Sequence, residues 1–196
     1  QTFLNEFLYK SFQPQHLVVG FDFSFGKARS GHKEDLQKFC QQHLIQLDIV
    51  PPFLLDGEKV STSAIRNALL HGDLKKAQLF LGREYYLKGV IIKGEQRGRF
   101  LGFPTANIRP VVDFFPKTGV YATITRRKGK EYFSVTNIGL NRTFVDGDLQ
   151  PIKVETFLMD FNEDIYGEEI EVELIQYLRE ERKFPSVQDL TMQISA

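Results

Sequence analysis

The chain has 196 residues, a formal net charge of zero and a hydrophobic content of 42%. A nucleic-acid partner held by bulk charge is therefore not expected, and no apolar run is long enough to span a bilayer. The single cysteine, Cys40, excludes an intramolecular disulfide, and without a secretion signal we expect a cytoplasmic location.

The first 83 residues alternate between helical and strand patterns, which predicts a parallel sheet. Residues 16–20 and 47–55 are candidate strands. Between them, residues 33–47 predict an amphipathic helix whose apolar face includes Cys40 and Leu44, so Cys40 is interpreted as a core residue and not as a nucleophile.

Two short helices follow, at 64–70 and 73–81, with Asp73 as N-cap and Gly82 as stop signal. Beyond them the hydrophobic period changes to two, so a domain boundary is expected between residues 83 and 84. Candidate strands are 86–93, 120–127, 131–138, 152–161 and 169–177. Five or six closely spaced strands predict a closed antiparallel barrel, followed by a helix at 186–194.

The segment 98–107 carries two glycines, a proline, a threonine and an asparagine between two strand patterns. One interpretation is a glycine-rich surface loop. The other is an anion cradle, in which Pro104 directs the Thr105 hydroxyl and the Asn107 amide toward a Mg²⁺ ion.

Glu155 shares a strand face with Phe157, Met159 and Phe161 in the predicted strand 152–161. A carboxylate among apolar neighbours loses hydration, so we expect it to have either a charged partner or a functional role. It is either a barrel-rim glutamate paired with a cation in the neighbourhood of Lys153, or an acceptor for a substrate proton.

Four further segments are open to two interpretations. Residues 137–144 are either a plain loop or the lining of a polar pocket, and residues 178–184 are either a solvated turn or a basic flap over an anion. Residues 60–66 place three hydroxyls and Arg66 at a helix start, which suits a cap or a phosphate site. The phenylalanines of residues 20–26 follow a buried strand, where ligands bind in α/β sheets, and are either core residues or face a planar ring.

Together these segments resemble the bacterial bifunctional riboflavin kinase/FMN adenylyltransferase (FAD synthetase) family over essentially the whole chain. The resemblance is carried by residues 101–107, 154–161 and 164–167, and by 20–26 and 60–66 in the first half. It implies the C-terminal part of a Rossmann-like nucleotidyltransferase domain, residues 1–83, followed by a six-stranded antiparallel riboflavin kinase barrel with a C-terminal helix, residues 84–196.

The implied reaction is transfer of the ATP γ-phosphate to riboflavin, giving FMN, with Mg²⁺ held by Thr105 and Asn107 and with Glu155 as the catalytic residue. The resemblance assigns ATP binding to Gly94, Gly98, Arg99, Gly102, Pro104, Thr105 and Asn107. It assigns flavin binding to Asn137, Phe157, Arg179 and Arg182. Residues of the adenylyltransferase remnant are Asp22, Phe23, Phe25, Ser61, Thr62, Ser63 and Arg66.

The chain has no His-x-Gly-His motif, with which the family's adenylyltransferase domain binds phosphate. We therefore expect a piece of a bifunctional enzyme, in which only the longer parent would also adenylylate FMN; a natural kinase with a relic domain is the alternative. Two other classes are a non-catalytic flavin-binding barrel and a flavin reductase of split-barrel type. The expected partners are small-molecule substrates, and the sequence does not define an oligomeric state.

Overall fold

The computed structural model describes residues 2–94, 104–112, 114–140 and 152–182. Contacts between residues divide the chain into two compact units, residues 1–60 and residues 61–196. The predicted helix at 186–194 lies outside the described residues.

The first unit is built around two parallel strands. In chain order it contains a π-helix (Phe3–Tyr9), α1 (Lys10–Phe12), β1 (His16–Gly20), a 3₁₀ turn (Lys27–Arg29), α2 (Lys33–His43), β2 (Gln46–Val50), β3 (Leu54–Leu55) and β4 (Glu58–Lys59). β1 and β2 pair in parallel, as predicted, and Leu36, Phe39 and Cys40 of α2 belong to this unit's core.

The predicted extension of α2 to residue 47 is wrong. The helix ends at His43 because Leu44 adopts a left-handed conformation, with φ of 56°, and the chain turns back into β2. Leu44, expected on the apolar face, is 93% exposed, whereas Leu47 lies in the strand. Cys40 is buried, in agreement with its interpretation as a core residue.

The second unit contains two helices and a closed six-stranded antiparallel barrel, which confirms the predicted barrel. The helices are α3 (Thr62–His71) and α4 (Leu74–Leu81). The strands are β5 (Tyr85–Ile92), β6 (Thr105–Pro110), β7 (Gly119–Arg127), β8 (Lys130–Leu140), β9 (Ile152–Leu158) and β10 (Glu169–Arg179). Around the barrel they follow the order β10-β5-β6-β9-β8-β7. Asp73 caps α4 by accepting from Lys76 N at 3.0 Å.

The strands alternate between the interior and the outer face of the barrel. In β9, Val154, Thr156 and Leu158 are buried inside, so Glu155 and Phe157 point outward. The buried interior is apolar over much of its length, with Tyr121 and Val172 fully enclosed. Five buried hydroxyls form a hydrogen-bonded chain, in the order Thr125, Ser134, Thr123, Thr136 and Thr156.

Both helices of the second unit pack into the barrel's core. Ala68, Leu69, Leu74 and Ala77 belong to the same buried cluster as the inward-facing residues of the strands. A backbone hydrogen bond of 2.9 Å from Lys117 N to Leu69 O ties α3 to the segment before β7. The domain boundary predicted between residues 83 and 84 stays a prediction. By their contacts, residues 61–83 belong to the same compact unit as the barrel.

Further predicted element boundaries differ from the structure. The strand predicted at 47–55 ends at Val50, before Pro51 and Pro52, and Leu54–Leu55 form the separate strand β3. The segment 98–107 was expected to be a loop as far as Asn107, but β6 begins at Thr105, because the chain from there on pairs with β5 and β9. The strand predicted at 152–161 ends at Leu158, since a turn follows in which Asp160 has a φ of 52°. Phe161 therefore belongs to the loop between β9 and β10.

Candidate active site

Three of the predicted site residues lie side by side on the outer face of the barrel. Asn107 of β6 is directly opposite Glu155 of β9, and Glu155 is directly opposite Asn137 of β8. Opposite residues on antiparallel strands have Cβ atoms about 4.5–5.5 Å apart. The barrel therefore gathers into one row an amide, a carboxylate and a second amide from three strands that are separated in sequence.

A second row runs beside the first, one pleat further along the strands. Thr105 lies opposite Phe157, which lies opposite Val135. The first row continues around the barrel from Asn137 through Val120 of β7 to Arg179 at the end of β10. The residues predicted to bind Mg²⁺, to accept the proton and to bind the flavin thus lie on one outer face of the barrel. The exception is Arg182, which lies beyond the end of β10.

Glu155 is paired with a lysine, as the barrel-rim interpretation expected. Its Oε1 lies 3.0 Å from Lys153 Nζ, and 28% of its side chain is exposed. It shares the outer face of β9 with Phe157, as expected, whereas Met159 and Phe161 lie beyond the end of the strand. Its cross-strand neighbours are the two asparagines. Alternation with Val154 and Thr156, which fill the interior, makes Glu155 accessible from outside the barrel.

Asn107 is held firmly although it points out of the barrel. Only 8% of the residue is exposed. Its side-chain amide lies against Gly94, where a Cβ atom would overlap with the amide nitrogen and carbon. Gly94 is therefore needed for close approach to Asn107, and this contact links one predicted ATP-binding residue to another.

Asn137 has one satisfied and one unsatisfied polar atom. Its Nδ2 donates to Glu181 Oε1 at 3.0 Å, while among the described residues its buried Oδ1 finds no hydrogen-bond partner. The Glu181 carboxylate also lies against Gly139, where a Cβ would overlap with it. The segment after β10 therefore reaches back over β8, beside the predicted flavin-binding residue.

The two predicted arginines flank this segment. Arg179 ends β10 and donates from NH1 to Glu180 O at 3.1 Å. Arg182 lies three residues after Arg179 and is exposed. Burial, together with the nearby charge of Arg182, lowers the pKa of Arg179. Both arginines lie in the part of the chain next to Asn137, where the sequence suggested a flap.

A cavity of about 330 Å³ opens next to Thr105. Pro104, Thr105 and Ala106 form one wall, with Ile91 and Leu158 beside them. The opposite wall is the loop 161–166, which carries the aromatic rings of Phe161 and Tyr166. Residues 164–167 were part of the family resemblance but received no role, so the sequence analysis missed this wall.

The predicted remnant residues fall into both units. In the first unit, Asp22 pairs with Lys59 at 3.2 Å, a hydrogen bond that lowers the Asp22 pKa, and the rings of Phe23 and Phe25 stack at 5.9 Å. In the second unit, Ser61 caps α3 by accepting from Ala64 N at 3.2 Å. Thr62 and Ser63 begin that helix. The Arg66 guanidinium lies 5.5 Å from the ring of Phe114.

Three predicted ATP-binding residues, Gly98, Arg99 and Gly102, lie outside the described residues. Within the described ranges, no group of three or more histidine, cysteine or acidic side chains is arranged to hold a metal ion. The described helices include none that is long and apolar enough to span a membrane.

Comparison with known proteins defines the family. Residues 81–196 match the riboflavin kinase family model, and residues 1–64 match the FAD synthetase model. The chain belongs to the riboflavin kinase family. The matches give no support to a non-catalytic flavin-binding module.

Two curated relatives are both named bifunctional riboflavin kinase/FMN adenylyltransferase. The protein from Listeria monocytogenes is 39% identical over 99% of this chain and 61% of its own length. The protein from Bacillus subtilis is 38% identical over 92% of this chain and 57% of its own length. The chain thus spans about three fifths of these relatives.

A solved structure also resembles most of the chain. It is a crystal structure from Streptococcus pneumoniae described as a macrolide-efflux protein, with 34% identity and a TM-score of 0.77. The match covers 92% of this chain and 58% of that one.

Proposed function

We propose that the barrel transfers the γ-phosphate of ATP to the terminal ribityl hydroxyl of riboflavin, giving FMN and ADP. The row of Asn107, Glu155 and Asn137 on the outer face carries this proposal, in a chain that belongs to the riboflavin kinase family. Phosphoryl transfer requires in-line positioning, charge neutralisation and a group that receives the hydroxyl proton. The row offers oxygen ligands and a carboxylate within one patch.

Glu155 is the proton acceptor in this proposal. The ribityl oxygen forms a bond to the γ-phosphorus while the bond from that phosphorus to the bridging oxygen of ADP breaks. The hydroxyl proton passes to the Glu155 carboxylate. Lys153, at 3.0 Å, holds the carboxylate in place on the outer face.

The residues present fit a Mg²⁺ ion. Thr105 offers a hydroxyl oxygen and Asn107 an amide oxygen, two positions apart on β6. Oxygen donors of these kinds are the ligands that Mg²⁺ prefers. When bound by Thr105 and Asn107, the ion would neutralise charge on the ATP phosphates.

The nucleotide occupies the cavity beside Thr105. Pro104 and Thr105 form its wall on the side of the metal ligands, and Phe161 and Tyr166 supply aromatic rings on the other side. Lys93 lies 5.9 Å from the Tyr166 ring centroid and adds a positive charge at this end. Ligand sites of this kind combine apolar walls with a few placed polar groups.

Riboflavin lies on the other side of Glu155, over β8. The unpaired Oδ1 of Asn137 offers a buried acceptor for a flavin or ribityl donor, and Phe157 offers apolar surface in the adjacent row. Arg179 approaches from the end of β10, and Arg182 approaches from the segment after it. This places Glu155 between the two substrates, as the reaction requires.

Incubation with riboflavin, ATP and Mg²⁺, followed by chromatography for FMN, tests the activity directly. Glu155→Gln should lower kcat by about 10²-fold or more and leave nucleotide binding nearly unchanged, because only the proton acceptor is lost. The matched control is Glu169→Gln, another strand glutamate paired with a lysine, Lys88, at 2.7 Å. An unchanged kcat in Glu155→Gln would assign this carboxylate to structure.

The second activity of the relatives is proposed for the whole protein and not for this chain, because the sequence has no His-x-Gly-His motif. We also propose a cytoplasmic enzyme that acts on small molecules, without a nucleic-acid or membrane partner. Calorimetry in which flavin binding is independent of Mg²⁺ and ATP, with no FMN formed, would instead indicate a flavin carrier.

A further inference from the structure

The loop 161–168, called the cavity loop from here on, joins β9 to β10 and forms one wall of the nucleotide cavity. Backbone hydrogen bonds fix its two ends. Met159 N donates to Phe133 O at 2.9 Å before the loop, and Ile91 exchanges 2.9 Å bonds with Gly167 N and Glu168 O at its end. Between these two points, side-chain contacts position the part of the loop that carries Phe161 and Tyr166.

Arg127 makes the principal side-chain contacts with this loop. Its Nε and NH2 donate to the two carboxylate oxygens of Glu168 at 2.7 and 3.0 Å, and its NH1 donates to Glu163 at 2.7 Å. The guanidinium also lies 5.5 Å from the ring centroid of Phe161. One side chain therefore contacts the beginning, the middle and the end of the cavity loop.

The position of Arg127 makes it a rigid support. It is the last residue of β7 and pairs with Lys130 across a tight turn in which Lys128 and Gly129 have positive φ. Only 9% of its side chain is exposed, so the guanidinium is shielded from water and relies on the two carboxylates. The planar fork of arginine fits a bidentate carboxylate, which lysine does not reproduce.

Two neighbours strengthen the arrangement. Lys128 Nζ lies 2.9 Å from Glu168, and the hydrogen bonds from Arg127 and Lys128 lower the pKa of Glu168 to about 2. Tyr132 packs edge-on against Phe161, with centroids 5.1 Å apart. Both ends of the cavity loop are thus held from β7, β8 and the turn between them.

We propose that Arg127 is a positioning residue that holds the cavity loop as the wall of the nucleotide site and so sets the affinity for ATP. Arg127 does not line the cavity and touches no substrate; it acts through Phe161, Glu163 and Glu168. The inference rests on the proposed function, which places the nucleotide in this cavity.

The test compares Arg127→Met with Arg126→Met in the kinase assay. Arg126 is the neighbouring residue and also makes two ion pairs, to Glu131 at 2.9 Å and to Glu173 at 2.6 Å, but on strands and not on the cavity loop. Arg127→Met should raise the KM for ATP by about 10-fold or more, with the KM for riboflavin and kcat within about threefold of wild type. Arg126→Met should leave the KM for ATP unchanged.

A second variant guards against misfolding of Arg127→Met. Glu168→Gln keeps the size of the side chain, does not line the cavity and removes the charge that Arg127 binds. It should raise the KM for ATP in the same direction but less. The double variant should have a KM for ATP no higher than that of Arg127→Met, since both changes remove the same contact between Arg127 and Glu168. Arg127→Lys should recover only part of the affinity.

The outcomes separate the two proposals. A wild-type chain that makes FMN, with an unchanged KM for ATP in both Arg127→Met and Glu168→Gln, would overturn the role of Arg127 alone. If Arg127→Met raises the KM for riboflavin and not the KM for ATP, the cavity binds the flavin, and the proposed role of Arg127 in ATP binding is also overturned. A wild-type chain that makes no FMN defeats the proposed function; calorimetry with ADP then decides, because only weaker binding to Arg127→Met supports the positioning role.

Discussion

The side chain of Asn107, a predicted Mg²⁺ ligand, lies so close to Gly94 that a Cβ atom there would overlap with its amide. Asn107 points away from the barrel interior and would be free to rotate if its surroundings were open. The close approach of Gly94 buries it instead, so that its position is fixed before any substrate arrives. Such preorganisation spares the reaction the cost of ordering a side chain.

Gly94→Ala should therefore reduce activity although it adds only one methyl group. The new Cβ would overlap with the Asn107 amide and displace it. We expect kcat/KM to fall by about 10-fold or more, measured as FMN formation at limiting Mg²⁺ and ATP.

The control is the double variant Gly94→Ala with Asn107→Ala. If Gly94 acts only through this amide, the double variant will be no less active than Asn107→Ala alone. A normal rate in Gly94→Ala would show that Asn107 does not need its present position.

Strand β9 serves the interior and the site at the same time. Its alternation directs Thr156 inward, to the end of the buried hydroxyl chain, and Glu155 outward, into the row with Asn107 and Asn137. A change in register by one residue would exchange the two faces. The hydroxyl chain is therefore one of the features that fix which residues of β9 face the interior and which face outward.

Thr136→Val tests the hydroxyl chain. Thr136 bonds to both Thr123 and Thr156, at 2.9 and 2.8 Å, and valine would leave the buried Thr156 hydroxyl without this partner. We expect a loss of about 1–3 kcal/mol in the free energy of unfolding, measured with urea. Thr156→Val is the matched control and should cost less, because Thr136 keeps its bond to Thr123. Equal stability of Thr136→Val and wild type would contradict this account.

For the whole molecule, the two helices before the barrel are part of its folding unit. Leu69 and Leu74 are buried in the same cluster as Leu87, Val172 and other strand residues. The match to the riboflavin kinase family model begins only at residue 81, and the change of hydrophobic period predicted a boundary at 83/84. Contacts instead divide the chain after Val60.

Two fragments distinguish these boundaries. The fragment 61–196 should be more stable than 84–196 by about 3 kcal/mol or more, because burial of each leucine contributes about 1.5–3 kcal/mol. Urea midpoints provide the measurement, and Leu69→Ala in the longer fragment should lose about 2–5 kcal/mol. Equal midpoints for the two fragments would support the boundary at 83/84.

The barrel could be predicted from the sequence because its signal is local. A segment with alternating polarity, such as Glu169–Arg179, can be recognised as a strand from its sequence, and the alternation also indicates which of its faces is buried. The strand Thr105–Pro110 was partly hidden, since its first residues belong to a segment rich in glycine and proline. Leu44 was misassigned because a left-handed residue ends a helix without changing its hydrophobic pattern.

The residues of the proposed site could be named from the sequence, because the family motifs that contain Thr105, Asn107 and Glu155 are short and contiguous; their chemical roles stay predictions. Two things required the tertiary structure. The register across β6, β9 and β8 decides that Asn107, Glu155 and Asn137 are neighbours, because pairing between distant segments is not encoded in any one of them. Likewise, nothing near Arg127 in sequence indicates that it supports the cavity loop, since its partners Glu163 and Glu168 meet it only when the barrel closes.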